Sequence, residues 1–135
     1  MNPNQINWLA VVVAALSTFV VGGLWYSPIL FGKVWLRANG FTDAQTQSFN
    51  KARAFVGAFV FALIMSANLA AFLAAPGTTV LWGIAAGALA GIGWVAAGLA
   101  VVALFENRSW TYIFVNGGYH IVTFVLMGAI LGAWR

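Results

Sequence analysis

Three stretches of the chain, 1–32, 54–105 and 109–134, contain no aspartate, glutamate, lysine or arginine and are rich in apolar residues. A helix that crosses a bilayer needs about 20 apolar residues, because the hydrocarbon core is about 30 Å thick and each residue rises about 1.5 Å. The first and third stretches each hold one such helix. The middle one is long enough for two and is cut by Pro76-Gly77-Thr78-Thr79, a cluster that breaks helices and makes turns. The pattern predicts an all-α integral membrane four-helix bundle in one transmembrane domain, 1–135, with spans at about 6–26, 54–75, 79–105 and 110–134.

The polar connections add detail. Ser27-Pro28 ends the first span, and Pro28 is placed to open a short helix over 28–38, with Gly40 beyond its end. Its apolar residues Ile29, Leu30, Phe31, Val34, Trp35 and Leu36 accompany Lys33 and Arg37, one helical turn apart, so an amphipathic helix lying in the membrane interface is expected. Thr42-Asp43-Ala44-Gln45 fits a capping box. It predicts a helix starting near Asp43 and running unbroken through Lys51 and Arg53 into the second span.

Charge orients this arrangement. Lys33, Arg37, Lys51, Arg53 and Arg108 lie in the connections 27–53 and 106–109, and Arg135 alone lies on the other side. The positive-inside rule puts both connections in the cytoplasm and both termini outside. Lys33, Arg37, Lys51 and Arg53 are expected to meet anionic lipid headgroups. Six of the seven tryptophans fall near a predicted interface, as an aromatic belt requires; Trp94, mid-span, is the exception.

Composition agrees and excludes other classes. Hydrophobic residues make up 63% of the chain and charged ones 6%, against about 25% charged in soluble domains. So few charges leave lipid as the solvent for most of the surface. The net charge of +4 comes from six scattered basic residues, with no phosphate-tracking stripe, so nucleic acid is not an expected partner. With no cysteine there is no disulfide or thiolate chemistry. The first residues lack the basic segment of a signal peptide, so the first span is expected to be retained.

Helices in lipid gain little by hydrophobic contact, and small residues that let backbones approach mark their packing faces. The first span has Ala10, Ala14, Thr18 and Gly22, and the second has Ala54, Ala58, Ala62, Ser66, Ala70 and Ala74. The third has Gly83, Gly87 and Gly91, a double GxxxG, and the fourth has Gly128 and Gly132. These stripes either pack the four helices within one chain or face another subunit. The glycine stripe of the third span is expected to face a second copy in a homo-oligomer.

Chemistry inside the spans is sparse. No span holds an Asp or Glu, which argues against coupled transport of protons or cations. The small multidrug exporters share this size and layout but depend on a glutamate in the first span, where this chain has Leu16, Ser17 and Thr18. His120 shares a helix face with Asn116, Thr123 and Met127. It is expected to hydrogen-bond a neighbouring helix, the alternative being a ligand or proton site shared with Asn116 and Tyr119. Asn68 poses the same choice between a structural partner and a ligand. Trp94 is expected to pack in the core rather than to serve as a stacking platform. One histidine without carboxylates or thiolates makes no metal site, and no serine sits in a nucleophile elbow. No cofactor is expected.

Several short pieces together resemble a known family. They are Asn7-Trp8-Leu9-Ala10, Gly23-Leu24-Trp25-Tyr26-Ser27-Pro28, Phe31-Gly32 with Trp35, Phe105-Glu106 with Arg108, Asn116 with Gly118-Tyr119, and Met127-Gly128 with Ile130-Leu131. On these the chain resembles the bacterial membrane proteins called domain of unknown function 1761, over nearly its whole length. The resemblance implies a four-span bacterial membrane protein and carries no activity. Three function classes follow, in descending order: a non-enzymatic oligomeric module of the inner membrane binding lipid or an apolar small molecule, a channel for a neutral or anionic solute, and an intramembrane enzyme using His120.

Overall fold

The structure is a computed structural model and describes residues 3–135. Its helices are α1 (Trp8–Trp25), α2 (Gly32–Asn39), α3 (Asp43–Ser48), α4 (Lys51–Leu73), α5 (Val80–Ala90), α6 (Ala97–Phe105) and α7 (Trp110–Ala133). A π-helical turn, Gly91–Ala96, joins α5 to α6 into one rod. Trp8–Trp25, Lys51–Leu73, Val80–Phe105 and Trp110–Ala133 are each long and apolar enough to cross a membrane. The fold is an all-α membrane helical bundle.

Each span begins on a side-chain cap. Asn7, Asn50, Thr79 and Ser109 accept the backbone N–H of Ala10, Arg53, Trp82 and Tyr112, satisfying donors that a helix start leaves free. The Thr42–Gln45 capping box is present, but the helix it opens stops at Ser48. Phe49 is extended and Asn50 starts a new helix, so the unbroken run from Asp43 into the second span is corrected. The local preference of Asn50 for a cap outweighs the continuity that the flanking residues would allow. The interfacial helix is also shorter than 28–38, because residues 27–31 form turns before Gly32. Gly40 closes it in the left-handed conformation expected of a C-terminal glycine.

Arg135, the single basic residue beyond the last span, folds back on the end of α4. Its guanidinium donates to the carbonyl oxygens of Leu73 and Ala75, the latter at 3.0 Å. A cation here satisfies exposed carbonyls and complements the negative end of the helix dipole.

α7 is the central element, flanked by α1 and α5, while α4 leans on α1 and on the C-terminal half of α7. The expected stripes do the packing, except for Ala54 and Ala58 of the second one, which are exposed. Ala10, Ala14 and Thr18 of α1 are buried, as are Ala62, Ser66, Ala70 and Ala74 of the second stripe. Ser66 donates its hydroxyl proton to the Val11 carbonyl at 2.9 Å, tying α4 to α1. Interhelical bonds of this kind contribute roughly 1 kcal/mol in membranes.

The glycine stripe of the third span is taken up inside the chain, which corrects the expectation that it faces a second copy. A Cβ on Gly83 would run into the Gly128 carbonyl, one on Gly87 into the Phe124 carbonyl, and one on Gly132 would come within 2.7 Å of the Thr79 carbonyl. Gly83, Gly87, Gly128 and Gly132 thus bring the α5 and α7 backbones into direct contact, where dispersion and weak Cα–H···O contacts hold them. Gly91 continues the seam against Phe124 and Ile121.

The stripe would next reach Val95, which is too large for such contact. The π turn resolves this, because residues five apart stack in a π helix. Ala96, five beyond Gly91, comes round to face Gly117, with 3.4 Å between the Ala96 Cβ and a Cβ built on that glycine. The same turn carries Trp94 outward, where it is 79% exposed. Its expected place in the core is thereby corrected.

The bundle closes at the end that holds the 74–79 turn and opens at the end that holds the 106–109 turn. The buried residues of α4 all lie between Ala62 and Leu73, and those of α5 and α6 are confined to Gly83, Ala86, Gly87 and Ala103. The N-terminal half of α4 keeps contact with the bundle through Phe19, whose ring lies 6.1 Å from Phe55 and 6.4 Å from Phe59. The accessible surface, 8227 Å², exceeds the roughly 6,800 Å² of a compact globule of the same mass.

Candidate functional site

Three of the short pieces, 23–28, 31–35 and 116–119, converge at the C-terminal end of α1. The turn after α1 folds back on itself: Phe31 N–H donates to the Trp25 carbonyl at 2.9 Å and Gly32 N–H to the Ser27 carbonyl at 2.9 Å. A Cβ on Gly32 would sit 2.5 Å from the Tyr26 carbonyl oxygen, so this approach requires glycine. Ser27 uses its hydroxyl on the Leu24 carbonyl rather than to cap α2.

This turn and the last two turns of α1 are pinned to α7 by three long-range hydrogen bonds. Trp25 donates its indole N–H to the Val115 carbonyl at 2.8 Å. Tyr26 donates its hydroxyl to Asn116 Oδ1 at 2.7 Å, and the Asn116 amide donates to the Tyr112 carbonyl at 3.0 Å. Tyr119 donates to the Thr18 carbonyl at 3.2 Å, its ring lying over Gly22. Gly118 leaves room for the Trp25 ring, which would come within 2.9 Å of a Cβ there.

A line of rings runs inward from this knot. Phe41, Trp35, Tyr26, Tyr119 and His120 follow one another at centroid distances of 5.4, 5.5, 5.3 and 5.1 Å. Contacts of this spacing contribute about 0.5–1.5 kcal/mol each beyond area burial. They tie the interfacial helix α2 mechanically to a histidine near the middle of α7.

His120 lacks the expected neighbour. Its Nδ1 is inaccessible and has no hydrogen-bond partner among the described residues. The expectation of a hydrogen bond to another helix is therefore corrected. The reason lies in the opening of the bundle. On the same face of α7, Thr123 is 1% and Met127 0% exposed, whereas His120 and Asn116 are half-buried. The N-terminal half of α4, which would cover them, is largely exposed itself.

The other expected site residues are not brought here. Asn68 is exposed on α4 and donates to the Ile64 carbonyl of its own helix at 2.8 Å. Trp94 points away from α7. No spacing in the sequence places Trp25 and Tyr26 against residues some ninety positions later. A recess at the opposite end of the bundle, lined by Ile6, Asn7, Leu73, Leu131 and Trp134 with Arg135, is only a narrow gap.

The family described as protein of unknown function (DUF1761) matches residues 9–132. The chain belongs to this family. The DUF1761 match covers both halves of the knot, 25–35 and 115–119, and the whole glycine seam up to Gly132. No curated protein and no solved structure matches the chain.

Lys33, Arg37, Lys51 and Arg53 are all exposed around the open end of this DUF1761 protein. Ile29, Leu30, Val34, Phe41 and Phe49 are exposed beside them. Apolar side chains next to cations suit a surface that meets lipid tails and headgroups together.

Proposed function

We propose that this protein is a non-enzymatic module of a bacterial inner membrane that assembles with itself and holds a lipid or another apolar small molecule beside His120. The observation that carries the reading is the Nδ1 of His120, shielded from solvent without a hydrogen-bond partner among the described residues. An unpaired polar atom in hydrocarbon is costly, and a ligand with one hydrogen-bonding group and an apolar body removes that cost once the imidazole turns to present Nδ1 to it. The inner half of the bundle, where α4 leaves α7 uncovered, admits such a molecule sideways from the membrane. The ring line from Phe41 to His120 makes the position of α2 and the shape of this place interdependent.

Native mass spectrometry from mild detergent tests this. The wild-type protein carries a co-purified lipid or small apolar molecule, His120→Leu loses it with little change in thermal stability, and His120→Gln keeps part of it. Equal retention by wild type and His120→Leu removes the site. A large stability loss in His120→Leu makes the residue structural instead.

In the proposed orientation both termini lie outside and the connections 27–53 and 106–109 face the cytoplasm, following the five-to-one bias of basic residues. Exposed Lys33, Arg37, Lys51 and Arg53 then meet anionic headgroups. Single cysteines at Thr42 and Gly77 are expected to label from opposite sides, with Gly77 reached from outside. Labelling of both from one side overturns the four-span reading, and the reverse pattern overturns the orientation.

A further inference from the structure

The second copy needs a face, and the glycine seam is already occupied. We propose that two copies meet along the outward face of α4, with their Asn68 amides paired across a two-fold axis. This rests on the self-assembly part of the proposed function and is independent of the ligand at His120.

The first observation is the state of Asn68. It lies five residues inside the end of α4, about 7.5 Å along the axis from Leu73, at a depth that belongs to hydrocarbon. Its side chain is exposed and makes one hydrogen bond, to the Ile64 carbonyl of its own helix. The amide oxygen and the second amide N–H have no partner among the described residues, and lipid tails offer none. A side-chain amide has two donors and two acceptor lone pairs, so an identical amide is a suitable partner.

The second observation is spacing. On α4, Gly57, Phe61, Ile64, Asn68 and Ala71 recur at alternating intervals of four and three. That is the seam of a left-handed helix pair, in which one asparagine selects register and subunit number. This seam lies opposite the buried face formed by Ala62, Ser66, Leu69, Ala70 and Leu73. It includes Phe61 at 66% and Ile64 at 50% exposure.

The third argument is symmetry. Two copies inserted in the same sense can be related by a two-fold only along the membrane normal, so residues at the axis meet themselves. A charged residue there would repel its copy. An amide is complementary to its copy.

The chain has no cysteine, so disulfide cross-linking in native membranes gives a clean readout. Ile64→Cys is expected to form a dimer on oxidation. Leu89→Cys, on the exposed face of α5, is not. Adding Asn68→Leu to Ile64→Cys should weaken dimerisation about tenfold, equivalent to about 1.4 kcal/mol, and Asn68→Gln should recover most of it. Because Asn68 is exposed, the thermal stability of the monomer should not change. A dimer through Leu89→Cys but not Ile64→Cys, or one indifferent to Asn68→Leu, overturns this interface and leaves self-assembly standing. A product with the mass of a different protein also overturns it. No cross-link from either position, with a monomeric mass in mild detergent, overturns self-assembly as well and leaves the ligand reading untouched.

Discussion

Gly87→Leu is expected to separate α5 from α7 and to cost about 3 kcal/mol or more of stability, more than common overpacking. The side chain would be built into the Phe124 carbonyl, and its next neighbours are the Phe124 carbonyl carbon and the Val125 Cα. These are backbone atoms of a central helix, so no rotamer change relieves the clash. Thermal unfolding in mild detergent checks this, with Gly98→Leu as control because nothing lies within 4 Å of a Cβ there. Equal melting of the two variants would mean that α5 and α7 do not meet as described and would return the stripe to a partner subunit.

Gly32→Ala is expected to release the interfacial helix at a cost of about 2–3 kcal/mol. The added methyl would lie 2.5 Å from the Tyr26 carbonyl oxygen and 2.8 Å from the Ser27 carbonyl, inside a turn closed by two backbone hydrogen bonds. Opening this turn also removes Trp35 from Tyr26, so the line of rings toward His120 is interrupted. The comparison variant is Gly40→Ala. It has open space but a φ of 67°, and should cost only about 1 kcal/mol. Limited proteolysis at Lys33 and Arg37 from the inner face, alongside melting temperature, reads both effects. If Gly40→Ala proves the more damaging, the Gly32 turn does not hold α2 in place.

How much could be read from the residue order differs between the two levels of structure. The four spans were legible because a bilayer imposes one length and one polarity on every helix that crosses it, and the charge-free stretches meet both. Pro76-Gly77 and the inner polar turns were legible for the same local reason. The capping box at Thr42 was legible, but its neighbour Asn50 was not read as a second cap, although an Asn before a long apolar run is a recognised start signal. The break in the small-residue stripe at Val95 also carried information. It marks where α-helical spacing stops serving the seam and the π turn takes over.

The sequence by itself determined the number of spans, their sequence order, the small residues that line packing faces and the absence of charge within them. These depend on periodicity and on solvent, which act locally along the chain. Only the tertiary structure decided which glycine stripe meets which, that Trp94 turns outward, that Asn68 and His120 lie on different faces, and that Trp25 and Tyr26 bond to α7. A small residue permits close approach without naming the partner that approaches, and a polar residue in lipid demands a partner without saying from which helix it comes. That choice was settled by the relative tilt and rotation of whole helices, which left His120 at the edge of α4's reach.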